Sequence, residues 1–143
     1  MLDETLATQP LAERVTRDRG ELTVTTSPKH WLELAQWVRS QGFDLLCDLT
    51  CVDWYPAADR FEIVCQLYST GEQGWVRLKT RCSEEAPAPT LISVWPAANW
   101  FEREVFDLFG VRFAGHPNLT RMLLPDAWEG HPLRKDYPVE GYR

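Results

Sequence analysis

The chain reads as an α+β fold: a two-layer α/β domain with a mixed sheet (strand–helix–strand start, antiparallel meander, second helix), followed by an extended C-terminal arm. Three observations lead there. Period-two alternation of apolar residues recurs in separate short runs, the mark of half-buried strands. Apolar residues fall at helical spacing twice, over Trp31, Leu34, Ala35 and Val38 and over Phe101, Val105 and Leu108. After residue 113 both periods stop while the apolar content continues. With 143 residues, 44% of them hydrophobic, one core is affordable and two are not, so residues 1–113 are assigned to the domain and 114–143 to the arm.

Taken in order, Leu2 and Leu6 can open a short helix, and Glu21-Leu22-Thr23-Val24-Thr25 alternates as a first strand. Ser27 and Pro28 then form an N-cap and first-turn signal for the first amphipathic helix, and Gly42 stands ready to stop it. Leu45, Cys47, Leu49 and Cys51 alternate in the next run, Phe61, Ile63, Cys65 and Leu67 in the one after, and Val76, Leu78, Thr80 and Cys82 in a third. The links 55–60, with Pro56, and 69–74, with Gly71, have hairpin length and turn chemistry, which makes the three runs a meander. Residues 83–90 are an acidic loop, and Leu91-Ile92-Ser93-Val94-Trp95 is apolar enough for a last buried strand ended by Pro96. Asn99 lies three residues before Glu102, the spacing of a capping box for the second helix. Arg103 and Asp107 stand at i, i+4, as an ion pair would, and Gly110 closes the helix. Glu104 is left without a local role.

The arm holds Pro117, Pro125, Pro132 and Pro138 and three glycines, yet it also carries Leu119, Met122, Leu123, Leu124, Trp128, Leu133, Tyr137 and Tyr142. Such a segment is too apolar for a solvated linker. A two-layer domain has few free apolar faces, so the arm is expected to lie on another subunit.

Composition excludes several functions. A net charge of −6 is the wrong sign for neutralising nucleic-acid phosphates or an anionic membrane. The charge-free stretch 86–101 is broken by three prolines and falls short of the roughly 20 apolar residues of a spanning helix. Asp3 and Glu4 stand where a secretory leader would be basic, so a cytoplasmic location is expected. No glycine-rich phosphate loop or Gly-x-Ser-x-Gly elbow is present. Cys47, Cys51, Cys65 and Cys82 form no Cys-x-x-Cys pair and read as reduced core thiols. His116 and His131, with Asp126 and Glu129 between them, have metal-ligand chemistry without a compact ligand spacing, and read more simply as turn histidines. Twelve of fifteen cations are Arg and there are seven Trp, the residue types most enriched at interface hot spots. Arg134-Lys135-Asp136 suits charge pairing across such an interface.

The run Trp95-Pro96-Ala97-Ala98-Asn99-Trp100-Phe101-Glu102-Arg103-Glu104-Val105-Phe106-Asp107-Leu108-Phe109-Gly110 resembles the C-subunit family of bacterial proton-pumping NADH:quinone oxidoreductase, respiratory complex I. His116-Pro117-Asn118-Leu119, Arg121-Met122-Leu123-Leu124-Pro125-Asp126 and Trp128-Glu129-Gly130-His131-Pro132-Leu133-Arg134-Lys135-Asp136-Tyr137-Pro138 extend the resemblance, as do Gly42-Phe43-Asp44-Leu45-Leu46, Asp48-Leu49-Thr50 and Val52-Asp53. One departure is Thr120, where the family usually has a basic residue. The resemblance implies a cofactor-free subunit of the peripheral arm, on the cytoplasmic side of the inner membrane, packed on the hydrogenase-like large subunit of the quinone module. Flavin and iron–sulfur clusters then belong to partner subunits, and NADH and quinone are substrates of the complex. The expected partner interface comprises Glu102, Arg103, Glu104, Asp107, His116, Arg121, Trp128, His131, Arg134, Lys135 and Asp136, with the cations pairing partner carboxylates and Trp128 as apolar anchor. Two alternatives stand beside it: the equivalent subunit of a membrane-bound hydrogenase or formate hydrogenlyase, and a small acid–base or metal enzyme using Glu104 with His116 or His131.

Overall fold

The computed structural model describes residues 2–142. Its elements are α1 (Leu2–Ala7), β1 (Arg14–Asp18), β2 (Glu21–Thr26), α2 (Pro28–Ser40), β3 (Leu45–Asp53), β4 (Phe61–Ser69), β5 (Gly74–Cys82), β6 (Ala88–Pro89), α3 (Ala98–Phe109) and β7 (Phe113–Ala114). Five strands form one sheet in the order β1-β2-β5-β4-β3. β3, β4 and β5 are the expected antiparallel meander. β2 joins the far side of it, parallel to β5, so α2 carries the chain across two strands to reach β3.

One face of this sheet is dry. Leu22 and Val24, Leu46 and Leu49, Ile63, Cys65 and Leu67, and Val76 and Leu78 point into it, and Trp31, Leu34, Ala35 and Val38 of α2 cover them. The two periods meet there, two along the strands and 3.6 along the helix. α3 packs against β3, adding Ala98, Val105 and Phe109 to the same core. Cys51, Cys65 and Cys82 are buried and Cys47 is half-buried, all as free thiols. Burial pushes the Cys82 thiol up to about 11.

β1 was not expected. Its sequence, Arg-Val-Thr-Arg-Asp, offers only the half-buried Val15 to the core, so no alternation is visible. It is an edge strand, where charged residues discourage further pairing. Arg19 and Gly20 turn it into β2, both at positive φ (50° and 84°), as a two-residue hairpin turn requires.

Residues 91–95 correct a second expectation. They form a helical turn, with the Val94 and Trp95 amides donating to the Leu91 carbonyl at 3.0 and 2.9 Å. Leu91 and Trp95 are both buried, and the Trp95 indole donates to the Phe43 carbonyl at 3.1 Å. A five-residue apolar run fits either period. The strand pairing nearby is made instead by β6 with β7. The capping box is also absent: α3 begins at Ala98 behind Ala97, without a side-chain cap, and Asn99 lies inside it.

Candidate functional site

The residues singled out in the sequence gather along α3 and the arm, and α3 is where their geometry starts. A helix leaves its last four carbonyls without partners. Here every one is satisfied, three of them by the arm. The Gly110 amide donates to the Phe106 carbonyl at 2.8 Å, and the Leu133 amide to the Leu108 carbonyl at 2.9 Å. The Asp107 carbonyl accepts from Arg121 Nη1 at 3.1 Å and from His131 Nδ1 at 2.9 Å, and the Phe109 carbonyl accepts from Arg134 Nε at 2.5 Å. Two guanidinium groups therefore sit at the negative end of the helix dipole, where cations are favoured. His131, facing a carbonyl through Nδ1, carries its proton there. Burial lowers its pKa, with the Arg121 and Arg134 charges lowering it further.

Gly110 makes this closure possible. It sits at φ 74°, and a Cβ on it would lie 2.5 Å from the His131 ring and 2.6 Å from Arg134 Nη2. Neither the conformation nor the space admits a side chain.

Asp107 is fully buried. Its Oδ2 accepts the amides of Met122, Leu123 and Leu124 at 3.1, 2.7 and 2.9 Å, and its Oδ1 binds Arg121 at 2.8 Å. Burial pushes the carboxyl up. The Leu124 amide, the Arg121 guanidinium and the other two amides outweigh it and hold the group below the usual carboxylate range. Arg121 continues to the Trp128 and Gly130 carbonyls at 3.0 and 2.8 Å. The expected Arg103–Asp107 pair is not made: Arg103 donates to the Thr120 and Arg121 carbonyls, both at 3.2 Å, and stacks over Trp100. Position 120 thus contributes its backbone, for which Thr serves.

A second anchor holds the arm at the β3–β4 hairpin. Asp53 is buried and binds Arg60 through two bonds, at 2.9 and 2.7 Å. It also accepts the Tyr55 amide at 3.0 Å and the Lys135 amide at 2.9 Å. Arg60 reaches on to Asp136 at 2.9 Å and lies over the Tyr55 and Phe61 rings. Burial raises the Asp53 carboxyl, but Arg60 and the two amides win and hold it at about 2. Arg60 was not expected to matter, and Asp53 had no role assigned. The signal was there: Leu49, Cys51 and Asp53 share the inward phase of β3, and a buried acid needs a cation.

Glu102 is no capping residue. Fully buried, it accepts the Thr90 hydroxyl and, at 3.0 Å, the Leu91 amide, so it is what fixes the 91–95 turn. With no cation beside it, burial lifts its pKa to about 7 against the pull of those two bonds. Glu104 is half-buried on the same helix. His116 is a turn histidine, accepting the Asn118 amide on Nδ1 at 3.0 Å and facing the Asn99 carbonyl. His116 and His131 are thus held at opposite ends of α3, roughly 12 Å apart by helix rise, and Asp126 and Glu129 are exposed. Among the described residues no three His, Cys, Asp or Glu come together to hold a metal ion.

The expectation that the arm needs another subunit to lie on is therefore corrected for its inner side. Arg121, Arg134 and Asp136, expected to pair with partner groups, are spent within the chain, Arg134 also lying 3.7 Å from Glu84. The domain holds the arm chiefly through carbonyls and carboxylates, with Leu119 packed against the apolar core beside them. Outward, Trp100, Met122, Leu123, Trp128, Leu133 and Tyr142 remain exposed.

The same residues lie within a match to known proteins. The sequence profile of Respiratory-chain NADH dehydrogenase, 30 Kd subunit, matches residues 24–143. The chain is similar to the C subunit of NADH-quinone oxidoreductase from Rhodobacter capsulatus, 45% identical over 127 residues, covering 87% of this chain and 64% of that protein. It is 48% identical over 134 residues to the corresponding C subunit from Salinispora tropica, covering 90% of this chain and 55% of that one. The chain thus spans between 55% and 64% of the length of these relatives. Among solved structures it is similar to a trypsin-resistant fragment (1–134) of Nqo5, with a TM-score of 0.68 and 32% identity over 74% of this chain and 89% of that one. It is also similar to a chain in the structure of the membrane-bound sulfane sulfur reductase, an archaeal respiratory membrane complex, with a TM-score of 0.81 and 28% identity over 96% of this chain and 84% of that one.

Proposed function

The chain belongs to the family of the respiratory-chain NADH dehydrogenase 30 Kd subunit, and from that membership we propose that it serves an NADH:quinone oxidoreductase as a cofactor-free subunit of the peripheral arm. Its place is the cytoplasmic side of the inner membrane, and its main partner is the hydrogenase-like large subunit of the quinone module. Flavin and iron–sulfur clusters of partner subunits carry electrons from NADH to quinone, coupled to proton translocation. This chain contributes position: small displacements of a reacting site cost large rate factors, and a rigid neighbour prevents them.

The observation that supports this reading is the two-sided arm. Its inner side is fixed by the Asp107 and Asp53 anchors, while its outer side exposes Met122, Leu123, Trp128 and Leu133. A docking surface ordered in advance loses less conformational entropy on association. No helix among the described residues is long and apolar enough to cross a membrane. The hydrogenase-type assembly is the less favoured alternative, because the relatives at 41–48% identity are C subunits of NADH-quinone oxidoreductases.

The test is a pull-down of the tagged chain from mildly solubilised membranes, with co-purifying chains identified by mass spectrometry. Recovery with flavin, iron–sulfur and antiporter-like subunits is expected. Hydrogenase maturation partners without an NADH module would favour the alternative, and recovery of the chain alone from the soluble fraction would overturn the proposal.

A further inference from the structure

Three acids are buried among the described residues, Asp53, Glu102 and Asp107, and two of them bind a cation. Asp53 has Arg60 and Asp107 has Arg121. Glu102, with 0% of its surface exposed, is met only by the Thr90 hydroxyl and, at 3.0 Å, the Leu91 amide. The elements packed around it bring no positive charge to it. From β4 comes the Cys65 thiol, which burial, Glu102 itself, and Asp48 and Cys47 of β3 all keep protonated. On its own helix, Arg103 is turned to the Thr120 and Arg121 carbonyls, and Glu104 has a charge of the same sign. His116 faces the Asn99 carbonyl, and burial lowers its pKa. An ionised carboxylate in this place is unfavourable.

What Glu102 holds is the joint between the domain and the arm. Its two partners are consecutive residues, and the Thr90 amide donates in turn to the Ala114 carbonyl at 2.8 Å. Beside them β6 pairs with β7, Ala88 opposite Phe113 and Pro89 opposite Ala114, and the arm leaves from there. The Thr90 hydroxyl also accepts the Ile92 amide at 3.2 Å. A hydroxyl can donate to an ionised carboxylate or accept from a neutral one, so the Thr90 contact suits both states of Glu102. The missing cation is felt only in the ionised state.

We propose that Glu102 is a proton-operated latch: while protonated it holds residues 90–95, and through them the root of the arm, against α3, and on losing its proton it lets that segment open so that water reaches the carboxylate. Because burial raises its pKa from 4.5 to about 7, the closed form is favoured at lower pH and is lost as pH rises through about 7. The Asp107 and Asp53 anchors, held below the usual carboxylate range, keep their charge throughout and leave the rest of the arm in place.

The test is hydrogen exchange on the purified full chain between pH 5 and 9, corrected for the intrinsic rate at each pH. The Thr90 and Leu91 amides are expected to open about tenfold more often at pH 8 than at pH 6, the ratio required by a carboxyl whose pKa is about 7 closed and 4.5 open. The Met122, Leu123 and Leu124 amides, bound to Asp107, should keep their protection over the same range. Glu102→Gln should abolish the pH dependence at residues 90 and 91. Thr90→Val, which deletes a donor to the ionised form, should move it to higher pH. An infrared band of a buried neutral carboxylic acid at pH 6, fading by pH 8 and missing in Glu102→Gln, reads the proton directly. Both wild-type readings stand if the variants fold poorly. Equal corrected opening of the Thr90 and Leu91 amides at pH 6 and 8 in the wild type overturns the proposal, as does a rise that persists in Glu102→Gln or the absence of the band at pH 6. Opening of the 122–124 amides in step with 90 and 91 also overturns it, because the whole chain and not a latch would then be responding.

Discussion

The sheet domain and the arm are held by different forces. Every fully buried residue among those described lies at or before Phe113; the arm contributes none. The domain is stabilised by apolar side chains meeting between α2, α3 and the sheet. The arm is stabilised by amides, guanidinium groups and one imidazole that satisfy the end of α3 and two buried aspartates. This contrast explains why the arm can be ordered and still expose large apolar side chains. Polar anchors engage much of its backbone and the guanidinium groups of Arg121 and Arg134, and leave Met122, Leu123, Trp128, Leu133 and Tyr142 exposed.

That difference can be probed by substitution. The largest effect is expected at Asp107. Asp107→Ala leaves the amides of Met122, Leu123 and Leu124 without their acceptor and Arg121 without its carboxylate partner, a loss of about 3–5 kcal/mol for a broken buried pair. Limited proteolysis should then cut between residues 114 and 142 while the sheet domain stays intact, and simultaneous loss of both regions would show that the arm is no separate layer of stability.

Glu102 and Asp53 should divide the pH dependence between them. The folded pKa of Glu102, about 7, stands above its ordinary 4.5. Its contribution is full below about pH 4.5 and is lost as pH rises through about 7, a change on the order of 3 kcal/mol. Asp53, at about 2 against 3.8, behaves oppositely: its contribution of about 2 kcal/mol is present above pH 3.8 and is lost as pH falls through 2. Urea midpoints measured across pH should show both edges, with Glu102→Gln removing the neutral one and Asp53→Asn the acid one. An unchanged profile in either variant would contradict the assignment.

Gly110→Ala combines a positive φ with a Cβ driven into His131 and Arg134, and about 1–3 kcal/mol of destabilisation is expected, read as a lower melting midpoint. Smallest is Arg134→Ala, which removes the Phe109 carbonyl contact and a long pairing with the exposed Glu84, for about 1 kcal/mol. On the proposed subunit role, it should weaken assembly in membranes while leaving the quinone turnover of each assembled complex unchanged. Full assembly with lost turnover would contradict a positional role.

How much of this was legible follows the same division. The strands 45–53, 61–69 and 74–82, the helix from Pro28 and the outward apolar residues all announce themselves through period or composition, because burial against a sheet imposes a repeat. β1 does not, since an edge strand buries little. The turn at 91–95 was misread because its cause, Glu102, lies eleven residues away and imitates a capping residue. Asp107 and Arg121 look like a local helix pair and a surface cation. Nothing local marks that they meet across fourteen residues, or that His131 and Arg134 close the same helix end, since contacts made by a non-repeating segment leave no period. The resemblance at 95–110 and 116–138 drew attention to residues that the geometry shows in another role, since Asp107, Arg121, His131 and Arg134 close the end of α3.

The most direct measurement is hydrogen exchange on the purified full chain without any partner. If the arm is ordered by its own domain, the amides of Met122, Leu123, Leu124, Leu133 and Lys135, each bonded to α3 or Asp53, will be protected, and Asp107→Ala will release the first three. If those amides exchange at the rate of an unfolded chain in the wild type, the arm takes its shape from its partner, and the polar anchors are not what holds it.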